Sequence, residues 1–506
     1  MLASQRTKQG QHPTEANRTG KVDRGYFPLG YKEALSQWWA NVPAAAAEHR
    51  VMSFIPYLKE TPTQTQTGTE RPTETPAESS HPASDNEGRS AAKVISRDDP
   101  YGPRQWKSML VPLAGKNRAL NEFSVERVDE ECDQNLVMLH GYGAGLGFFY
   151  KNYESLSRVP GWRVYALDLL GMGRSSRPPF RIHSKDRQAS ITEAEDWFID
   201  ALEEWRVKKK LDRFSLLGHS LGGYMAVAYA LKYPGHLNKL ILASPVGIPE
   251  DPYAVNADLP KDSDSDMVDE IARDAHETSN TADAGDKNNF MNARSKAEGT
   301  DKPRRALPKW AAYLWDANVV SPFSLVRWSG PLGPRFVSGW TSRRFSHLPP
   351  EEAQALHTYA YSLFRQRGSG EYALSYVLAP GAFARSPLIR RIAGVGRQMI
   401  TPNGSVKSSV DSPQRPRETG LPIVFMYGEN DWMDVAGGYA AEQKIKEERE
   451  RILQKCTPAE RTKDQGSAKV FVVKNAGHHV YLDGWSEFND LMQEEMRDTS
   501  RTEQRR

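Results

Sequence analysis

Cysteine is nearly absent: the 506-residue chain has two, Cys132 and Cys456. Two cysteines make no disulfide framework, and their scarcity fits a reducing compartment. Long apolar runs are missing as well. No stretch of about 18 residues stays apolar, so no membrane-spanning helix is expected. The N-terminus lacks the apolar core of a secretory signal. Its Arg6, Lys8, Arg18, Lys21 and Arg24 against Glu15 and Asp23 give it instead the basic bias of a transit segment. Charge of one sign is lacking: 67 Lys+Arg against 64 Asp+Glu leave +3, which gives nucleic acid no electrostatic footing. No GxGxxG and no suitable GxxxxGK[ST] loop occurs. No metal or organic cofactor is implied. A mean hydropathy of −0.66 with 38% hydrophobic residues predicts disordered stretches around apolar core segments.

What the chain does have is Gly218-His219-Ser220-Leu221-Gly222, directly after the apolar run Phe214-Ser215-Leu216-Leu217. A nucleophile elbow needs this order: a strand delivers the serine to a sharp turn and a helix leaves behind it. Side chains two positions before or after the serine would crowd such a turn, so glycine suits both. The following Gly223-Tyr224-Met225-Ala226-Val227-Ala228-Tyr229-Ala230-Leu231 reads as the helix, its N-terminal amides facing the serine.

A serine nucleophile calls for an acid and a histidine further on. Leu421–Tyr427 reads as a buried strand, and Gly428-Glu429-Asn430-Asp431-Trp432 follows it. Asp431 is the expected acid, with Asp434 and then Glu429 as alternatives. Val470–Val473 reads as another strand, followed by Asn475-Ala476-Gly477-His478-His479. His478 is the expected general base, which Asp431 would hold in the right tautomer; His479 is the neighbouring alternative. The oxyanion hole is expected after the strand Asn135–Leu139, in His140-Gly141-Tyr142-Gly143-Ala144-Gly145. Its donors would be the amides of Leu221 and Tyr142, with Gly143 as the alternative to Tyr142.

Strand and helix patterns alternate along the core, as a mostly parallel sheet with helices on both faces requires. The expected fold is therefore α/β, an α/β-hydrolase fold with an inserted helical cap and several disordered inserts. Length alone suggests two or three domains, but the pattern reads as one catalytic domain swollen by insertions. Residues 1–59 form an N-terminal segment, disordered to about 24. It then carries a short helix with Trp38 and Trp39, which either packs on the body or lies at a lipid surface. Residues 60–105 are rich in Thr, Pro, Ser and Glu and read as a linker. The core follows in two parts, 106–246 and 398–495, with a loop insert at 396–419. In the first part Trp197, Phe198, Ala201, Leu202 and Trp205 share a helix face and read as core. Residues 247–397 form the cap. They hold a polar insert at about 254–305, then aromatic helices with Trp310, Tyr313, Trp315, Phe323, Trp328, Phe336, Trp340, Tyr359, Tyr361 and Phe364. Such an aromatic set either packs as core or offers a lipid-facing floor. Residues 496–506 read as a charged, disordered tail.

Asp168-Leu169-Leu170-Gly171-Met172-Gly173-Arg174-Ser175-Ser176-Arg177-Pro178, Glu203-Glu204-Trp205-Arg206, Gly330-Pro331-Leu332-Gly333-Pro334 and Gly477-His478-His479-Val480-Tyr481-Leu482-Asp483 together resemble one lipid-active α/β-hydrolase group. It includes the adipose triglyceride lipase coactivator, the N-acyl phosphatidylethanolamine lipase and the fungal cardiolipin-specific deacylases. The resemblance covers roughly 106–495, less the inserts. It implies a phospholipid or lysophospholipid substrate at a peripheral membrane or lipid-droplet surface. It also implies a mitochondrial location, with cytoplasm, lipid droplet or endoplasmic reticulum surface as alternatives. The coactivator has lost its nucleophile and works by binding; this chain keeps Ser220 and resembles the hydrolytic members. The expectation is a serine hydrolase of phospholipid fatty-acyl esters, cardiolipin deacylation included. Its alternatives are acyl transfer to lysophosphatidic acid and a non-catalytic lipase coactivator. The group's HxxxxD motif, met by His478 and Asp483, has been read as acyltransferase chemistry. Here His478 is already needed by Ser220, and Asp483 suits an N-cap of the last helix. An epoxide hydrolase or dehalogenase would put a carboxylate where Ser220 stands.

Overall fold

The computed structural model describes residues 28–66, 91–256, 321–379, 382–400 and 416–505. The readings of residues 1–24, of most of 254–305 and of the middle of 396–419 lie outside them, as do Trp310, Tyr313 and Trp315.

Continuous apolar runs build the centre. The strands, in chain order, are β1 (Ala91–Ser96), β2 (Arg104–Pro112), β3 (Ala119–Arg127), β4 (Gln134–Leu139), β5 (Trp162–Leu167), β6 (Phe214–His219) and β7 (Leu237–Ala243). A two-residue pair, β8 (Leu378–Ala379) and β9 (Phe383–Ala384), stands apart, and β10 (Pro422–Gly428) and β11 (Ser467–Val473) complete the set. Nine of them form one sheet in the order β1-β2-β3-β5-β4-β6-β7-β10-β11. Pairing is antiparallel from β1 to β5 and parallel from β5 to β11. Every residue of β4, β6 and β7 is buried, as strands covered on both faces must be. Alternate residues feed opposite layers: Val137, Leu139, Ile423 and Phe425 one core, Leu136, Met138, Val424 and Met426 the other. This is the expected mostly parallel sheet between helical layers.

Long helices cover the sheet. Arg187–Lys208 starts at Asp186, whose side chain accepts the Ala189 N–H, and buries Phe198, Ala201, Leu202 and Trp205 as expected, whereas Trp197 is half-buried against that core. The cap contributes helices Pro322–Trp328, Gly333–Arg344 and Pro350–Phe364. Its aromatics divide: Phe323, Trp340, Tyr359, Tyr361 and Phe364 are buried, whereas Trp328 and Phe336 face outward.

Several boundaries fall elsewhere than the sequence suggested. The sheet begins at Ala91, inside the stretch read as linker. Its β1 is a half-exposed edge strand with weak alternation, tied in by the Trp106 Nε1–H bond of 3.0 Å to Ser96 Oγ. Gln64, also in that stretch, is buried. The tail read as disordered is helical: Trp485–Glu503 is one helix with Phe488, Met492 and Met496 buried at every fourth position. Lys239 Nζ anchors it, 2.6 Å from Glu495 and 2.9 Å from Asp498. Four-residue spacing continues through the charged composition, and that spacing decides the helix. The helix Ala44–Met52 is part of the core, with Val51 and Met52 buried, whereas Tyr31–Ala40 buries only Ala34.

Candidate active site

β6 delivers Ser220 into a turn with φ 52° and ψ −116°, a left-handed strain that a non-glycine residue adopts only when its surroundings fix it. They do so here. The Ser220 N–H donates to Ala243 O at 3.0 Å, and the Ser220 carbonyl accepts from Gly223 N–H at 2.9 Å and Tyr224 N–H at 3.1 Å. The flanking glycines are steric requirements. A Cβ on Gly218 would lie 2.3 Å from Gly222 O, and one on Gly222 would lie 2.6 Å from Leu139 O.

β10 and β11 bring the next two groups together. Beyond their parallel pairing, Glu429 N–H donates to Val473 O and Asn430 N–H to Ala476 O, at 2.9 and 2.8 Å. The two loops thereby stay in register past the strand ends. His478 Nδ1 then lies 3.1 Å from Asp431 Oδ1, both side chains buried. That oxygen also accepts the Met433 N–H at 3.0 Å, which fixes the carboxylate from the far side. Nδ1–H donating to a carboxylate leaves Nε2 as the free base. Nε2 has no hydrogen-bond partner among the described residues, so no bond to Ser220 is formed in this state. Such bonds are often long before substrate arrives. The Trp432 and His219 rings flank the imidazole, each with its centroid 4.8 Å away.

Glu429 and His479 are engaged otherwise. Glu429 Oε2 accepts the Asn475 N–H at 3.0 Å and so braces the histidine loop. Asp434 is the first residue before the helix Val435–Leu453. The His479 ring packs among Phe148, His219 and Tyr481, and burial holds it well below the ordinary imidazole pKa. His219 is held low by burial and by neighbouring His478; as a neutral ring it donates Nε2–H to His478 O at 3.0 Å.

The expected oxyanion loop abuts the serine. A Cβ on Gly141 would lie 3.0 Å from Ser220 Cβ and 2.9 Å from His219 Nδ1. Ala144 N–H donates to Gly141 O at 3.3 Å, closing a turn with Tyr142 and Gly143 at its centre and Gly143 at φ 70°. Tyr142 stacks on the cap's Phe323, centroids 5.1 Å apart.

The parts played by several residues behind this loop escaped the sequence reading. His140 Nδ1–H donates to Gly141 O at 2.7 Å and Nε2 accepts the Leu169 N–H at 3.0 Å, a pattern only the neutral ring satisfies. Burial pushes its pKa down to about 4. Asp168 accepts from Leu146 N–H and Arg174 N–H, both at 2.7 Å, and from Asn121 Nδ2 at 2.8 Å. Burial raises its pKa against those three bonds. Arg174 Nη1 reaches Glu48 Oε1 at 2.5 Å, and Tyr359 O–H donates to Glu48 Oε2 at 3.2 Å. Asp168 and Arg174 stood in a motif already quoted, but Glu48 sits in an alanine-rich helix that gives no signal. Asp483 departs from its expected part. The last helix is preceded by Gly484 with no side-chain cap, and Asp483 instead accepts the Gly477 N–H at 3.1 Å.

No group of three or more metal-ligating side chains occurs among the described residues, and no helix there is long and apolar enough to cross a membrane.

The alpha/beta hydrolase fold family model matches residues 134–484. A 1-acylglycerol-3-phosphate O-acyltransferase of Arabidopsis thaliana is 33% identical over 73% of this chain and 68% of its own length. The 1-acylglycerol-3-phosphate O-acyltransferase ABHD5 of Mus musculus is 28% identical over 78% and 85%. The (lyso)-N-acylphosphatidylethanolamine lipase of Bos taurus is 28% identical over 71% and 78%. With the elbow, the paired loops and the sheet, these likenesses make the chain a member of the α/β-hydrolase family of ABHD5-like acyltransferases and (lyso)-N-acylphosphatidylethanolamine lipases.

Proposed function

We propose that this chain cleaves fatty-acyl esters of glycerophospholipids through an acyl-serine intermediate, with Ser220 as nucleophile, His478 as base and Asp431 as its orienting acid. The observation that carries the reading is the buried His478–Asp431 pair next to a strained serine elbow. Ser220 Oγ attacks the acyl carbonyl carbon while His478 Nε2 takes its proton. The oxyanion is held by the amides of Leu221 and Tyr142, or of Gly143. The intermediate collapses, the C–O bond to the lipid breaks, and His478 returns the proton to the leaving alkoxide. Water activated by the same imidazole then releases the fatty acid.

A lipid surface suits the exposed aromatics. Tyr31 and Trp39 are 69% and 79% exposed, Trp328 and Phe336 67% and 57%. Their helices are joined: Leu29 N–H donates to Ser338 Oγ at 3.1 Å, and Arg335 stacks over the Tyr31 ring at 4.3 Å. Tyrosine and tryptophan are the side chains that partition to membrane–water boundaries.

The names of the relatives favour a second outcome for the same intermediate, attack on the acyl-serine by a lysophosphatidic acid hydroxyl in place of water. One experiment separates them. Wild type and Ser220→Ala are incubated with liposomes of cardiolipin, phosphatidylethanolamine and lysophosphatidic acid, with and without acyl-CoA. Free fatty acid with lysolipid, from wild type only, is the expected result. Asp431→Asn should lower kcat by roughly 10⁴ by favouring the wrong tautomer. Lysophosphatidic acid consumed into phosphatidic acid without net fatty acid would establish transfer. Equal turnover by Ser220→Ala would end the acyl-serine reading.

A further inference from the structure

Asp483 lies at a junction that the proposed chemistry leaves unused. Its Oδ2 accepts the N–H of Gly477, the residue before His478, at 3.1 Å. The same oxygen accepts from Arg344 Nη2 at 3.1 Å, and Oδ1 faces His347 Nε2 at 3.5 Å. Arg344 ends the cap helix Gly333–Arg344, so a cap cation and the histidine loop share one carboxylate oxygen. Both side chains are about one-tenth exposed, 11% for Arg344 and 10% for Asp483. With both groups so far out of water, the hydrogen bonds to this oxygen cannot be exchanged for bonds to solvent. The approach is close on the loop side too: a Cβ on Gly477 would lie 3.1 Å from Asp483 Oδ2 and 3.5 Å from Arg344 Nη1.

We infer that Asp483 is a positioning residue: it transmits the seating of the cap, through Arg344, to the loop that aims His478 at Ser220. This rests on the reading of Ser220 and His478 as nucleophile and base. It gives the aspartate of the His478–Asp483 spacing a geometric part rather than a chemical one. What Asp483 contributes is an acceptor oxygen at a fixed point. Asparagine supplies that oxygen and alanine does not. If the carboxylate took part in proton transfer or acyl transfer, asparagine would fail as alanine does.

The test compares wild type with Asp483→Ala, Asp483→Asn and Arg344→Ala in the full chain. The first readout is the rate of covalent labelling by a fluorophosphonate, which needs Ser220 and its base. The second is the downfield proton resonance of the His478–Asp431 hydrogen bond, which needs neither turnover nor substrate. Misaiming a base by about 1 Å can cost 10²-fold. Asp483→Ala should therefore label roughly 10- to 10²-fold more slowly, with half-saturation unchanged and the resonance shifted or broadened. Arg344→Ala should do the same to a lesser degree. Asp483→Asn should restore labelling to within about threefold of wild type, with a native resonance. Asp483→Asn as slow as Asp483→Ala would overturn the inference, as would wild-type labelling and resonance in Asp483→Ala. Wild type that does not label would count against Ser220 as the nucleophile, while the resonance in the variants still decides whether Asp483 positions His478.

Discussion

Acid should unfold this protein steeply, and the slope follows from its buried histidines. His140, His219 and His479 are all buried, with pKa values held below the ordinary 6.5 chiefly by desolvation; His140 lies at about 4. A group whose folded pKa is depressed stays neutral in the native state while the unfolded chain binds a proton. Its contribution is present above the unfolded value and is lost as pH falls from there toward the folded one. For His140 alone, going from pH 7 to pH 5 costs about 2 kcal/mol. Between pH 6 and pH 5 the His140 ring gives a slope of about 1.2 kcal/mol per unit, and His219 and His479 act in the same direction. For His140 alone the loss of about 2 kcal/mol is already a sizeable part of a typical stability of about 5–15 kcal/mol. Carboxyls with raised folded pKa, such as Asp168 and Glu48, act with the opposite sign and gain stability as pH falls through their folded values. The clean measurement is therefore a difference. Urea unfolding of wild type and His140→Gln across pH 5 to 7 should give the variant a mean slope shallower by about 1 kcal/mol per unit. Equal slopes would mean that His140 titrates alike in both states, and the desolvation reasoning would fall.

Glu48→Ala should cost about 3–5 kcal/mol, since it strips Arg174 of its carboxylate inside the core; a loss under about 1 kcal/mol in urea unfolding would contradict the buried pairing. Replacing Trp39 and Trp328 together by serine should lower co-sedimentation with phospholipid vesicles several-fold while leaving the melting temperature within about 2 °C, because surface substitutions usually cost within about 0.5 kcal/mol. Unchanged vesicle binding would remove these aromatics from the lipid contact.

The sheet was legible because its central strands are largely apolar, and burial on both faces demands that pattern. Ser220, Asp431 and His478 were legible because each follows such a strand. The structure pairs His478 with Asp431 and engages Glu429 and His479 elsewhere. What escaped notice has a common physical cause: it depends on tertiary partners rather than on local pattern. β1 is an edge strand whose neighbour supplies its order. The charged end of the last helix is fixed by Lys239 on β7, not by its own composition. Asp483 had a plausible local role as a cap, yet its nearest partners come from the cap domain and from the histidine loop. Local propensity cannot report a bond whose other half is supplied by another element of the fold.

Tertiary contacts of the same kind explain how the proposed oxyanion loop is held. Glycines at 141, 143 and 145 let that loop turn, but they also leave it soft. Rigidity must come from outside, and it comes from distant segments meeting behind it. His140 clips Gly141 to Leu169, and Asp168 holds Leu146 and Arg174. Arg174 and the cap's Tyr359 both close on Glu48 of the N-terminal segment. Tyr359 also accepts the Gly147 N–H at 3.3 Å, just past the loop. Preorganised amides stabilise an oxyanion only if they need not move during reaction. The segment before residue 66 is thus tied to the site although it lies outside the match to the family, which begins at residue 134. Insertions, by contrast, are accommodated where the chain can leave and return at one point. At the stretch read as a loop insert, Ile400 N–H donates to Pro416 O at 2.8 Å, so the described chain departs and resumes at one point.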